Sequence, residues 1–125
     1  MQDRPRVMVV EDDDDIRESL IDVLQDYGYQ SSSAIHGRDA LDQLHAGARR
    51  PTLILLDLMM PVMDGRTFRE QQLKNPELAA IPVVVISAFH DLERIIDSLQ
   101  PSAYLTKPIN VQRLLQVVER YAKCA

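Results

Sequence analysis

Three stretches constrain this chain more than any others: Val7-Met8-Val9-Val10, Leu53-Ile54-Leu55-Leu56 and Val83-Val84-Val85-Ile86 are apolar at every position. A strand with one wet face alternates apolar and polar residues. An unbroken apolar run of this length instead suits a parallel strand covered by helices on both faces. Ala103-Tyr104-Leu105 is a weaker run of the same kind, and Tyr29 to Ser33 is polar enough to be an edge strand.

Between the runs the apolar period lengthens. Ile16, Leu20, Val23, Leu24 and Tyr27 share one helical face, with Gly28 placed to end that helix in a left-handed turn. Leu92, Ile95, Ile96 and Leu99 form a second stripe, and Val111, Leu114, Leu115, Val118 and Tyr121 a third, capped by Asn110. Weaker helical segments run from Gly37 to His45 and from Arg66 to Leu73, the latter ended by Asn75-Pro76. Five repeats of strand then helix predict an α/β fold: a doubly wound, mostly parallel five-stranded sheet with five helices on both faces and right-handed crossovers. In such sheets ligands bind past the carboxyl ends of the strands.

Length and composition place this fold in a single domain spanning residues 1–125, with 46% hydrophobic and 26% charged residues. No apolar run approaches a membrane span, and Met1-Gln2-Asp3-Arg4-Pro5 lacks the features of a secretion signal, so a cytoplasmic protein is expected. The one cysteine, Cys124, has no partner for an internal disulfide and reads as an exposed thiol. A net charge of −5 and scattered basic residues, apart from Arg49-Arg50, argue against direct nucleic-acid binding.

The residues just past the apolar runs are Glu11-Asp12-Asp13, Asp57, Ser87 and Lys107. Each has a plain reading on its own. Glu11 to Asp15 resembles a solvated acidic run capping the first helix, Asp57 and Ser87 are ordinary strand stops, and Lys107-Pro108 is an ordinary turn. Brought together at one end of a sheet, they form several carboxylates, a hydroxyl and an ammonium. Clustered carboxylates favour a hard divalent cation such as magnesium, while Lys and Ser suit phosphate oxygens. The combination points to phosphoryl chemistry with a carboxylate nucleophile. Met59, Met60 and Met63 read as loop packing, and His36, His45 and His90 lack metal-ligand spacing and are expected in solvent.

These residues resemble the receiver domains of two-component response regulators over nearly the whole chain. The segment Leu56-Asp57-Leu58-Met59-Met60-Pro61-Val62-Met63-Asp64-Gly65 resembles the family's phosphoacceptor loop, and Ser87-Ala88 and Lys107-Pro108 also match. The resemblance implies a flavodoxin-like, chemotaxis-regulator-like fold with strand order 2-1-3-4-5. It implies Asp57 as phosphoacceptor and Mg2+ held by Asp12, Asp57, the Met59 carbonyl and, through water, Glu11. Lys107 and Ser87 would bind the phosphoryl group, Tyr104 would be the switch aromatic, and Lys107-Pro108 would be a cis peptide. The implied partners are a sensor histidine kinase or phosphotransfer protein and a downstream protein or output domain, with a monomer or a phosphorylation-linked dimer as the assembly. Such a switch catalyses only its own phosphorylation and dephosphorylation.

Two features depart from the family. Ser87 stands where threonine is more frequent, keeping the hydroxyl, and Leu99-Gln100-Pro101-Ser102-Ala103 closes tightly where a longer fourth helix is usual. Two other functions compete: a magnesium-dependent aspartate-nucleophile phosphatase, which would place its nucleophile after the first strand, and an interaction module that works unphosphorylated. The sequence suits either a stand-alone regulator or a domain excised from a larger one.

Overall fold

The fold is given by a computed structural model that describes residues 5–46, 50–58, 63–87 and 99–122. Five strands, β1 (Arg6–Val10), β2 (Gln30–Ala34), β3 (Leu53–Asp57), β4 (Val83–Ser87) and β5 (Ala103–Thr106), form one parallel sheet in the order β2-β1-β3-β4-β5. Among the described residues the helices are α1 (Asp14–Asp26), α2 (Gly37–His45), α3 (Gly65–Lys74), the single turn α4 (Pro76–Ala79) and α5 (Val111–Tyr121).

The unbroken apolar runs are explained by the two layers that cover the sheet. Met8, Val10, Ile54, Leu56, Val83 and Val85 pack beneath α2, α3 and α4, around Leu41, Leu44, Phe68 and Leu78. Their neighbours Val7, Val9, Leu53, Leu55, Val84 and Ile86 face Leu20 and Leu24 of α1 and Leu114, Val117 and Val118 of α5. Alternate residues of each central strand therefore enter opposite cores, and both sets must be apolar. The edge strands are less covered: β2 is half-buried along most of its length, and in β5 only Leu105 is buried.

Several details differ from the sequence reading. Asn75-Pro76 ends α3 and also starts α4, because the Asn75 side chain accepts the Glu77 N–H and proline suits a first helical turn. β2 begins at Gln30 rather than Tyr29, and β5 continues to Thr106. Tyr27 and Val111, assigned to apolar faces, are exposed; Tyr27 lies at the α1 C-cap, where the chain turns away through Gly28 at φ 87°. The stripe Leu92, Ile95 and Ile96 lies outside the described residues, whereas Leu99, its last member, is buried. Cys124, Met60 and His90 lie outside them as well. No described helix is long and apolar enough to cross a membrane.

Candidate functional site

The sheet order reverses between β1 and β3, and the carboxyl ends of these two strands lie beside those of β4 and β5. Burial continues past the apolar runs at these ends, so the polar residues that follow are held inside the fold. Glu11, Asp57 and Ser87 are each 1% exposed.

The five consecutive acids divide by function. Glu11 is anchored by the Glu11 N–H to the Ala34 carbonyl at 3.1 Å and by its Oε1, which accepts the Asp13 N–H at 3.2 Å. Asp13 caps α1 by accepting the Ile16 N–H at 3.0 Å, and Asp14 and Asp15 occupy the first turn, where the helix dipole favours negative charge. The plain capping reading thus holds for Asp13 to Asp15. Glu11 and Asp12 instead join Asp57: each of the three offers a carboxylate oxygen, and these atoms lie within 4.8 Å of one another.

Lys107 reaches into this group from the β5 end. Its Nζ is 3.4 Å from Asp57 Oδ1 and 3.6 Å from Glu11 Oε2. One ammonium thus faces two buried carboxylates, and Glu11 Oε2 is buried without a hydrogen-bond partner. Burial first, and the neighbouring Asp57 charge second, push the Glu11 carboxyl from 4.5 up to about 7, against the opposing pull of the Asp13 N–H and Lys107. An unsatisfied buried oxygen beside two further carboxylates is the donor set a hard, oxygen-seeking divalent cation fits.

Ser87 closes β4, and its carbonyl accepts the Lys107 N–H at 3.0 Å, binding the two strand ends together. In the parallel register Ser87 pairs with Thr106, and Tyr104 pairs with Val85. Paired residues share a sheet face, so Ser87, Thr106 and Tyr104 all project to the α3 side. Tyr104 is 48% exposed and so is turned outward. The Lys107-Pro108 peptide is cis, as expected. Met59, expected to offer its carbonyl, lies outside the described residues.

Three residues have parts that the sequence reading did not assign to them. Arg17 Nη1 donates to the Glu11 carbonyl at 3.0 Å and also pairs with Asp14, bracing the acidic loop from α1; its only signal was a lone base within an acidic stretch. Gly65 abuts the phosphoacceptor-like loop so closely that a Cβ there would sit 2.6 Å from the Asp57 carbonyl oxygen. His36, expected in solvent, is half-buried and caps α2 through Nδ1, which accepts the Asp39 N–H at 3.1 Å. Met63 packs against the core, as a loop-packing residue should.

The sequence matches the response regulator receiver domain family over residues 7–119. The polar-differentiation response regulator DivK of Brucella anthropi is 34% identical, covering 92% of this chain and 94% of its own. The receiver domain of a signal transduction histidine kinase from Syntrophus aciditrophicus superposes with a TM-score of 0.85 at 31% identity, covering 94% of this chain and 89% of that one. The Thermotoga maritima response regulator TrrA, solved in complex with Mg2+ and BeF, superposes with a TM-score of 0.82 at 26% identity over 94% of this chain and 98% of that one. The chain belongs to the response regulator receiver domain family of two-component signalling.

Proposed function

We propose that this receiver domain is a phosphorylation-driven switch in which Asp57 accepts a phosphoryl group from a phosphohistidine of a sensor kinase or phosphotransfer protein. The observation that carries this reading is the 3.4 Å approach of Lys107 Nζ to Asp57 Oδ1 inside a group of three carboxylates. An Asp57 oxygen attacks phosphorus, the P–N bond breaks, and its electron pair leaves with the donor imidazole. The product is a mixed anhydride, which water later hydrolyses to the carboxylate and inorganic phosphate.

Each neighbouring side chain has a distinct part. Glu11, Asp12 and Asp57 would hold Mg2+, which when bound neutralises charge on the transferring phosphoryl oxygens. Lys107 pairs with the phosphoryl group, as its position between two carboxylates allows. Ser87 donates its hydroxyl to the same oxygens from the end of β4. The added charge and acceptors draw Ser87 and Lys107 toward Asp57, and Tyr104, on the same sheet face, turns inward as the space beside Ser87 changes. The β5 and α5 surface around Tyr104 then differs between the two states and is what the downstream protein or output domain reads.

Donor docking fits an apolar groove of about 600 Å³ between α1 and the β5–α5 junction, lined by Ile16, Leu20, Val23, Pro108 and Ile109 and continuous with Lys107. A helix of the donor seated there would present its histidine to Asp57 across the lysine.

Intact mass after incubation with acetyl phosphate tests the reading. One added phosphoryl group on the wild type, dependent on Mg2+ and absent from Asp57→Asn, is expected; equal labelling of that variant would exclude Asp57 as the acceptor.

A further inference from the structure

Two polar side chains that the site does not use are buried in the opposite layer of the fold. Arg69 is 8% exposed and Gln72 fully buried, both on the inner face of α3. Arg69 donates from Nε to the Leu99 carbonyl at 2.9 Å, from Nη2 to the Gln100 carbonyl at 3.0 Å, and from Nη1 to Gln72 Oε1 at 2.8 Å. Gln72 in turn donates to the carbonyls of Leu78 and Ile81 at 2.9 and 3.0 Å. Each of the three Arg69 acceptors is a neutral carbonyl oxygen. Burying a guanidinium among carbonyls is costly, and desolvation lowers the Arg69 pKa. Only the planar fork of arginine reaches three acceptors in different directions.

The two ends of this linkage matter. Gly65, Arg69 and Gln72 follow one another along one face of α3 at spacings of four and three. Gly65 lies against the Asp57 backbone, its N–H donating to the Leu58 carbonyl at 3.0 Å, so α3 begins on the phosphoacceptor strand end. At the other end, Leu99 and Gln100 lead directly into β5, and Gln100 holds φ 48°, a left-handed conformation that a residue with a Cβ keeps only when its surroundings impose it. The Ser102 N–H then donates to the Val83 carbonyl at 2.9 Å, setting the register that places Tyr104 beside Val85.

Building on the proposed phosphorylation of Asp57, we infer that Arg69 is a positioning residue, the tie through which α3 transmits the state of Asp57 to the Leu99–Gln100 turn and so to Tyr104 on β5. Phosphoryl transfer itself does not use Arg69. Gln72 accepts the third guanidinium bond and donates to the Leu78 and Ile81 carbonyls, outside the link to the Leu99–Gln100 turn.

The test reads two signals on the full chain. One is the Arg69 Nε–H resonance; the other is the fluorine resonance of Tyr104 in fluorotyrosine-labelled protein, assigned with Tyr104→Phe. In the wild type, Mg2+ with beryllofluoride shifts both. Arg69→Lys keeps the charge and loses the fork: acetyl phosphate labelling of Asp57 stays within about three-fold of wild type, amide exchange over residues 99–106 rises about ten-fold, and the Tyr104 response falls to less than about half. Gln72→Ala destabilises the same layer but leaves the bonds to Leu99 and Gln100, so it retains the Tyr104 response. A full Tyr104 response in Arg69→Lys, an equal loss in both variants, or an Arg69 Nε–H that ignores beryllofluoride in the wild type would each overturn the tie. The wild-type comparison needs no variant to fold. Absence of mass labelling on wild-type Asp57 identifies failure of the phosphoacceptor reading itself, and the tie falls with it.

Discussion

Glu11 should make this protein less stable as pH rises through neutrality, and magnesium should abolish the effect. The Glu11 carboxyl is raised from 4.5 to about 7 by burial and by Asp57. A carboxyl whose folded pKa lies above its unfolded value binds a proton more tightly when folded. Its contribution to stability is therefore complete below about 4.5 and lost as pH rises through about 7. With the side chain only 2% exposed, solvent screening removes little of this. At about 1.4 kcal/mol per pH unit the displacement is worth roughly 3 kcal/mol between pH 4.5 and pH 8.

The assay is urea unfolding in EDTA at several pH values from 5 to 8, on wild type and Glu11→Gln. The amide introduced by that substitution cannot ionise, so the variant lacks this slope and is the more stable protein at pH 8 by roughly 2–3 kcal/mol. A cation competes with the proton for the same oxygens, so Mg2+ affinity of the wild type rises with pH over the same interval. Excess Mg2+ then restores wild-type stability at pH 8 and does little for the variant. Parallel pH profiles in EDTA for the two proteins would refute the argument, because they would mean that Glu11 ionises in the fold as freely as in the unfolded chain.

Three further substitutions probe neighbouring parts. Lys107→Ala should still gain a phosphoryl group by mass while the Tyr104 resonance no longer responds, since the group has lost its cationic partner; a full response would remove Lys107 from the switch. Gly65→Ala forces a Cβ to within 2.6 Å of the Asp57 carbonyl and 2.9 Å of Leu58 Cα, both backbone atoms that cannot swing aside. It should lower stability by about 1–3 kcal/mol in urea unfolding and slow acetyl phosphate labelling. His36→Ala should cost about 1 kcal/mol through loss of the α2 cap, and His36→Asn should recover most of it, both by thermal unfolding.

The sheet was legible in the sequence because β1, β3 and β4 are buried on both faces, which leaves no polar residue to interrupt the run. Its carboxyl ends were legible for the same reason: a charged residue directly after such a run stands out. The helices on the α3 side were harder. In α3 the polar Gln72 is buried while its neighbour Leu73 is 45% exposed, reversing what hydrophobicity suggests. Gln72 is inside because it donates to the carbonyls of Leu78, in the single turn α4, and of Ile81, just past it, and four residues are too few to show any period. The linkage of Arg69 to Leu99 and Gln100 joins positions 30 and 31 residues apart, which no local pattern records. Similarly, the acidic run did not disclose which of its members cap α1 and which enter the cluster, because that depends on where β1 ends relative to β3.

The division of labour between core and site follows from these contacts. Two apolar layers, one on each face of the sheet, supply cohesion without help from the strand ends. The ends can then hold an arrangement that is unfavourable in itself: three carboxylates near one ammonium, with Glu11 Oε2 buried and without a hydrogen bond. Such a group gains more from a bound cation and a phosphoryl group than a well-satisfied cluster would, since binding removes a cost already present in the folded state. Changes that relieve the repulsion, Glu11→Gln first among them, should therefore stabilise the free protein and weaken its Mg2+ binding together. Changes in the layers, such as Phe68→Ala, should destabilise by about 3–5 kcal/mol with Mg2+ affinity per folded molecule preserved.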